Sequence, residues 1–258
     1  MISAERREQI KTILLKKKSV TVAETAQRFG VSTETIRRDF EALSGEGFLI
    51  KSYGGATLVS RKNIAISQKI KSGIMIGAKK RMAKEAARLV RPNDCIFLDH
   101  STTVYEMCEE LTGIPLTVMT NSLAIINKMS ENPNVKLVVP GGNFDMNSQA
   151  FFGLEAVQYL KRHSFDKAFL SCRTLDLKRG LGDAEELTAD MRRNIIESSD
   201  FNCLMVDHTK LGKSAFVQTC DLLKVNCIIT DEVFDEEWTR FLEEKQIRYI
   251  ECLGESEA

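Results

Sequence analysis

Between Thr21 and Gly55, two short amphipathic segments flank a Gly30-Val31-Ser32 turn and run into a basic, glycine-tipped stretch, an order that few folds satisfy. Thr21-Val22-Ala23-Glu24 has capping-box spacing: the Thr21 hydroxyl takes the Glu24 amide proton and the Glu24 side chain reaches back to the Thr21 amide. A helix therefore starts near Val22, with Val22, Ala26 and Phe29 on one face. Gly30 allows the positive φ at which that helix stops. Ser32 caps a second helix from about Thr33, an interaction worth about 1 kcal/mol. Ile36, Phe40 and Leu43 form its buried stripe, leaving Thr33, Thr35, Arg37 and Arg38 outward or along the flank, where they can reach a DNA groove.

An earlier helix, Ala4 to Lys17, carries Ile10, Ile13 and Leu14 as its apolar face and completes a three-helix core. Lys16, Lys17 and Lys18 crowd its C-terminal end, where cations suit the helix dipole. Phe48 to Gly55 reads as a strand entering a tight turn, the wing of a winged helix-turn-helix, with Lys51 and Tyr53 near phosphates. Charge agrees with this reading. The chain is neutral overall, yet residues 1–62 hold 12 Lys and Arg against 7 Asp and Glu, so a basic head sits on an acidic body. Such asymmetry points to a nucleic-acid contact confined to the head.

At 258 residues the chain is long for one domain and comfortable for two. Residues 1–58 are expected to bind double-stranded DNA, 59–79 to link, and 80–258 to form a second domain. No apolar run approaches the roughly 18 residues of a membrane span, and the charged N-terminus is unlike a signal peptide, so a cytoplasmic location is expected. The seven cysteines are irregularly spaced and lack the Cys-x-x-Cys pattern of a zinc or redox site. They are expected to be reduced, with no metal and no cofactor.

From Lys80, short apolar runs alternate with amphipathic helices, the pattern of a Rossmann-like α/β domain with a mostly parallel sheet covered on both faces. The expected helices are 81–90, 103–111, 123–129, 154–160 and 184–197, and the expected strands are 94–98, 116–119, 136–139, 168–170, 203–206 and 227–230, before a last helix–strand pair. Open sheets bind ligands past the carboxyl ends of their strands. Those positions hold Asp99-His100-Ser101-Thr102-Thr103, Thr120-Asn121-Ser122, Gly141-Gly142-Asn143, Ser171-Cys172-Arg173-Thr174 and Asp207-His208-Thr209-Lys210. Ser101 and Thr102 stand where the next helix begins, so amides and hydroxyls there either receive a phosphate or simply cap the helix, and Asp99 either joins that site or only braces the loop. Asp183-Ala184-Glu185-Glu186 is itself a capping pattern.

Both halves resemble the DeoR-type bacterial transcriptional regulators. The head does so through Val31-Ser32-Thr33-Glu34-Thr35-Ile36-Arg37-Arg38-Asp39 and Tyr53-Gly54-Gly55-Ala56. The body does so through Phe97-Leu98-Asp99 with Thr102-Thr103, Thr120-Asn121-Ser122, Gly141-Gly142, Asp166-Lys167-Ala168-Phe169, Gly180-Leu181 and Asp207-His208-Thr209-Lys210. The resemblance implies a repressor of carbohydrate-use genes whose C-terminal domain, similar in fold to sugar-phosphate isomerases, senses a phosphorylated sugar or related metabolite. By position it assigns Asp99, Ser101, Thr102, Thr103, Asn121, Ser122 and Lys210 to the effector, and Arg37 and Arg38 to the operator.

Two positions depart from the family pattern. The family usually has glycine where Ser101 stands, and a Gly-Ala/Val-Asp-Gly turn where this chain has Ser171-Cys172-Arg173-Thr174. Arg173 there is either an anion contact for the effector or part of a salt bridge inside the fold. Two other readings compete with the ligand-controlled repressor. One makes the body an isomerase using Asp99, Glu186 or Asp207 as a base; the other makes it only an oligomerisation scaffold. No catalytic residue is assigned, and a homo-oligomer is expected because a helix-turn-helix usually reads DNA as a dimer.

Overall fold

The computed structural model describes residues 2–17, 19–45, 48–58 and 68–254. Residues 59–67 of the expected linker, and Lys18 of the lysine cluster, lie outside these. The chain divides into two units, Met1–Met75 and Ile76–Ala258.

In the first unit, α1 (Ser3–Lys17), α2 (Val22–Phe29) and α3 (Thr33–Gly45) bury Ile10, Leu14, Val22, Ala26, Ile36, Phe40 and Leu43 in one apolar cluster, with Ile13 and Phe29 packed against it. Strands β1 (Ser19–Thr21), β2 (Leu49–Ser52) and β3 (Gly55–Leu58) form an antiparallel sheet in the order β1-β3-β2, and α4 (Gln68–Ser72) follows. Thr21 Oγ1 accepts the Glu24 amide at 3.1 Å and donates to the Glu24 carboxylate at 3.0 Å. The return bond therefore reaches the Thr21 hydroxyl rather than its amide, Thr21 being also the last residue of β1, opposite Gly55. Gly30 ends α2 at φ 62°, and the Val31 amide reaches back to the Ala26 carbonyl at 3.1 Å, closing the left-handed cap.

Ser52 pairs with Gly55, so Tyr53-Gly54 is a two-residue hairpin turn with Gly54 at φ 82°. Gly55 serves close approach instead: a Cβ there would lie 2.5 Å from the Val20 carbonyl oxygen. The Gly54 carbonyl accepts the Val22 amide at 2.8 Å, fastening the wing tip to the start of α2. Beneath α3, Arg6 Nε donates to Asp39 Oδ2 at 2.6 Å, a buried ion pair joining α1 to α3.

The strands of the second unit are β4 (Cys95–Leu98), β5 (Leu116–Thr120), β6 (Val135–Val138), β7 (Asn143–Asp145), β8 (Ala150–Phe152), β9 (Lys167–Leu170), β10 (Thr174–Asp176), β11 (Gly180–Asp183), β12 (Asn202–Met205), β13 (Val217–Cys220), β14 (Cys227–Thr230) and β15 (Arg248–Glu251). Its helices are α5 (Ile76–Ala87), α6 (Thr102–Tyr105), α7 (Met107–Glu110), α8 (Leu123–Met129), α9 (Leu154–Leu160), α10 (Glu186–Glu197) and α11 (Glu236–Glu244). Seven strands make a parallel sheet in the order β15-β14-β12-β9-β4-β5-β6. Successive strand residues face opposite ways. Phe97, Leu204 and Ile228 join one apolar cluster with Ile195 and Trp238, while Ile96, Leu98, Cys203 and Ile229 join another with Met82 and Ala83. The sheet is thus covered on both faces.

Five details differ from the sequence expectation. Helix α5 starts at Ile76, inside the stretch expected as linker, and the helix expected over 103–111 is two short ones meeting at Glu106. The hairpin β7–β8 and the antiparallel sheet β10-β11-β13 were not expected. Asp183 caps nothing: it lies in β11, and α10 starts at Glu186 without a side-chain cap at Glu185.

Candidate functional site

On α3, Thr33 is exposed and the side chains of Arg37 and Arg38 are 65% and 81% exposed. Both arginines share the Glu34 carboxylate loosely, at 3.8 and 3.7 Å. Exposed pairs of this kind contribute little, so a phosphate can displace Glu34. Thr35 is half-buried instead, its amide and hydroxyl both bonded to Ser32 Oγ, at 3.2 and 2.9 Å. Lys51 on β2 pairs with Glu41 of α3, and Tyr53 stands fully exposed at the wing tip.

In the second unit the chain leaves β4 towards β5 and β6, then returns to lay β9 on the other side of β4. Ligands in open α/β sheets bind outside the strand ends at such a reversal. Asp99, just past β4, is buried there and engaged through both carboxylate oxygens. Its Oδ1 accepts the Ser101 amide at 2.8 Å; its Oδ2 accepts the Ser171 amide at 3.1 Å and Arg192 Nε and Nη2 at 3.1 and 3.0 Å. Burial pushes its pKa up, but Arg192, His100 and the bonds from Ser101 and Ser171 outweigh it and hold the carboxyl below the usual range. Arg192, buried on α10, also binds Asp183, whose other oxygen accepts the Thr219 hydroxyl at 2.7 Å. Asp99 is thus a brace across the reversal point rather than a free contact.

Ser101 caps α6 by accepting the Val104 amide at 3.1 Å and has φ −72°, so the position needs no glycine. Thr102 and Thr103 are buried beside it. Lys79 of α5, only 4% exposed, donates to Thr102 Oγ1 at 2.9 Å. Across the sheet edge, Lys210 donates to Ser171 Oγ at 2.8 Å and lies 3.5 Å from Asp207 Oδ2. Burial of Asp207 is outweighed by Lys210, the Thr209 hydroxyl, Lys79 and His208, leaving its pKa lowered. Lys79 and Lys210 thus both act electrostatically on the Asp207 carboxylate, and each donates to a hydroxyl past a strand end, Thr102 and Ser171.

Past β5, Ser122 caps α8 through the Ile125 amide, and Asn121 Nδ2 donates to the Phe151 carbonyl at 3.1 Å. Asn121 Oδ1 is buried and has no hydrogen-bond partner among the described residues. His208 is held by Asp231, and Glu186 is exposed at the start of α10. Arg173 is half-buried in the loop after β9, and burial lowers its pKa. Sequence reading missed Lys79, set among Lys80 and Arg81 in what looks like a basic linker, and Arg192, whose neighbour Arg193 is the more exposed of the pair.

All seven cysteines are free thiols; burial pushes Cys108 and Cys172 up to about 12. Among the described residues no helix is long and apolar enough to cross a membrane, and no group of His, Cys, Asp or Glu side chains is arranged to hold a metal.

Comparison with known proteins matches residues 6–62 to the DeoR-like helix-turn-helix domain and residues 75–232 to the DeoR C-terminal sensor domain. The chain is 36% identical to the HTH-type transcriptional regulator YulB of Bacillus subtilis (strain 168), covering 96% of each. It is 31% identical to the L-fucose operon activator of Haemophilus influenzae, over 89% of this chain and 92% of that one. It is 25% identical to the HTH-type transcriptional repressor GlcR of Bacillus subtilis, over 97% and 96%. A ribose 5-phosphate isomerase A from Methanocaldococcus jannaschii matches 52% of this chain and 53% of its own at 17% identity and a TM-score of 0.39, too loosely to carry inference. With both domain models matched in order and near-complete coverage of its relatives, the chain belongs to the DeoR family of transcriptional regulators, with a DNA-binding helix-turn-helix and an effector-sensing domain.

Proposed function

We propose that this regulator represses carbohydrate-utilisation genes and releases its operator when a phosphorylated sugar or related metabolite binds the sheet edge. In this reading Thr33, Arg37, Arg38, Lys51 and Tyr53 face the DNA, Thr35 sets the start of α3, and Ser101, Thr102, Thr103, Asn121, Ser122, Arg173 and Lys210 face the effector, with Lys79 added and Asp99 bracing them. The functional division falls near residue 75. The observation that carries the reading is the pairing of two ammonium groups, Lys79 with Thr102 and Lys210 with Ser171, at the strand ends where the sheet reverses. The L-fucose operon named for one relative supports carbohydrate control; that relative is named an activator and GlcR a repressor, and the sign proposed here is GlcR's.

Operator binding requires a homo-oligomer in the cytoplasm, with half-sites about one helical turn apart. The effector acts by binding one arrangement of that oligomer better than the other, and a difference of about 1–3 kcal/mol suffices. The test is a mobility-shift titration on DNA upstream of the gene, with a panel of sugars and sugar phosphates. One phosphorylated compound is expected to weaken binding in the parent, while K79M and K210M bind the DNA but ignore that compound. Equal release by the parent and both variants would sink the assignment, and a light-scattering mass of one chain would sink the oligomer.

A further inference from the structure

Among the described residues, one cation past the strand ends, Arg173, has no hydrogen-bonded or ion-paired partner for its guanidinium. Lys79, Lys210 and Arg192 stand with Asp99, Asp183 and Asp207, all wholly or largely buried, and Asp231 past β14 is a further buried carboxylate, held by His208. Arg173 is a fourth cation. It follows Ser171 and Cys172 in the loop between β9 and β10, and its amide donates to the Gly182 carbonyl at 3.1 Å, which ties that loop to β11. Among the described residues its guanidinium makes no hydrogen bond and no ion pair. The carboxylates that act on it are Asp183 and Glu185. Asp183 has both oxygens committed, one to Arg192 and one to Thr219, and Glu185 is exposed to water. A half-buried guanidinium with no protein acceptor keeps its donors free for an incoming anion.

We propose that Arg173 receives a second anionic group on the effector, so that the ligand is a sugar phosphate acidic at both ends rather than a neutral aldose phosphate. A carboxylate and a second phosphoryl group share this chemistry, since the planar guanidinium fork offers either of them two parallel N–H···O bonds. The inference rests on the sensor reading above and narrows its ligand class. It also resolves the two roles open to Arg173 from sequence, because the internal salt bridge is absent among the described residues.

The experiment is calorimetric titration of the full-length protein with matched sets of four-, five- and six-carbon compounds: aldose phosphate, aldonic acid phosphate and sugar bisphosphate. For the chain length that binds best, an acidic member is expected to bind tighter than the neutral one by about tenfold or more, the scale of a hydrogen bond to a charged group. R173A should erase that preference, bringing the acidic members to the neutral member's affinity, R173K should keep part of it, and E185Q should not change it. Preference for the carboxylate over the bisphosphate, or the reverse, identifies the second group. Equal or tighter binding of the neutral member in the parent, or a preference that survives R173A, overturns the inference and leaves the sensor reading intact. A rise of about tenfold in anion affinity in E185Q overturns it too, since Glu185 would then be the partner Arg173 already has. Binding of none of these compounds overturns the sensor reading and the inference together.

Discussion

On α3 the guanidinium groups of Arg37 and Arg38 stand in solvent with only a loosely shared carboxylate nearby, whereas in the body Arg192 is buried between two aspartates that use most of its donors. The same residue type serves opposite ends. In water an arginine costs little to keep unpaired and remains available to a polyanion. Inside the fold it must be matched, and once matched it fixes strand ends rather than binding anything. Burial, more than residue type, separates a contact from a brace.

That contrast is broken most severely at Arg192. Its replacement by leucine strands Asp99 and Asp183 in the interior, for which about 3–5 kcal/mol of stability is the expected loss, read by denaturant unfolding. Restoring most of that stability by adding D99N and D183N would show that the stranded charges, not lost packing, cause it; no recovery would show the reverse. Acid sharpens the same point. Asp99 and Asp207 are both held below their ordinary 3.8, so their contribution is complete above that value and is lost as pH falls through it towards their lower folded values. Unfolding midpoints followed from neutral pH downward should decline over that window, and less steeply in a D207N variant.

In the head the expected effects are smaller. T21A removes the hydroxyl that caps α2 and should cost about 1 kcal/mol, measured by thermal or urea unfolding. Smallest in stability and largest in function is the R37A, R38A double variant, which should stay within about 0.5 kcal/mol of the parent. Its DNA affinity should fall, and the salt dependence of binding should flatten by about two if both residues meet phosphates. DNA binding as tight as the parent's would end the assignment of α3 to the operator.

How far the sequence could be read follows the same division. Helices α8 and α9 and strand β14 fall on the expected residues because periodicity and caps are local signals. The short strands β7, β10, β11 and β13 lack the continuous apolar run that exposes a strand of β14's length, β8 is only three residues long, and β11 contains Gly180 and Gly182, which read as loop. Asp99 was legible as a strand-end residue that either meets the effector or braces its loop, but its partners were not, since Arg192 and Ser171 are 93 and 72 positions away. Lys79 was hidden because its burial depends on α5 lying against the sheet, and a lysine among lysines looks solvated. Asp39 is the same lesson in the head: it lies among exposed arginines in sequence, yet it faces Arg6 33 residues earlier.

The Arg192 brace also bears on how this chain can change over generations. Asp99, Asp183 and Arg192 come from three separate elements, yet each is the partner that makes another tolerable in the interior. Loss of Arg192 alone strands two carboxylates that their neighbours cannot absorb, whereas loss of either aspartate leaves a matched pair, so a route that begins at Arg192 passes through a poorly folding intermediate. An aspartate is therefore expected to change before the arginine does. The exposed arginines of α3 carry no such mutual dependence and can be exchanged one at a time, which lets a lineage retune its DNA target while its sensor frame stays fixed.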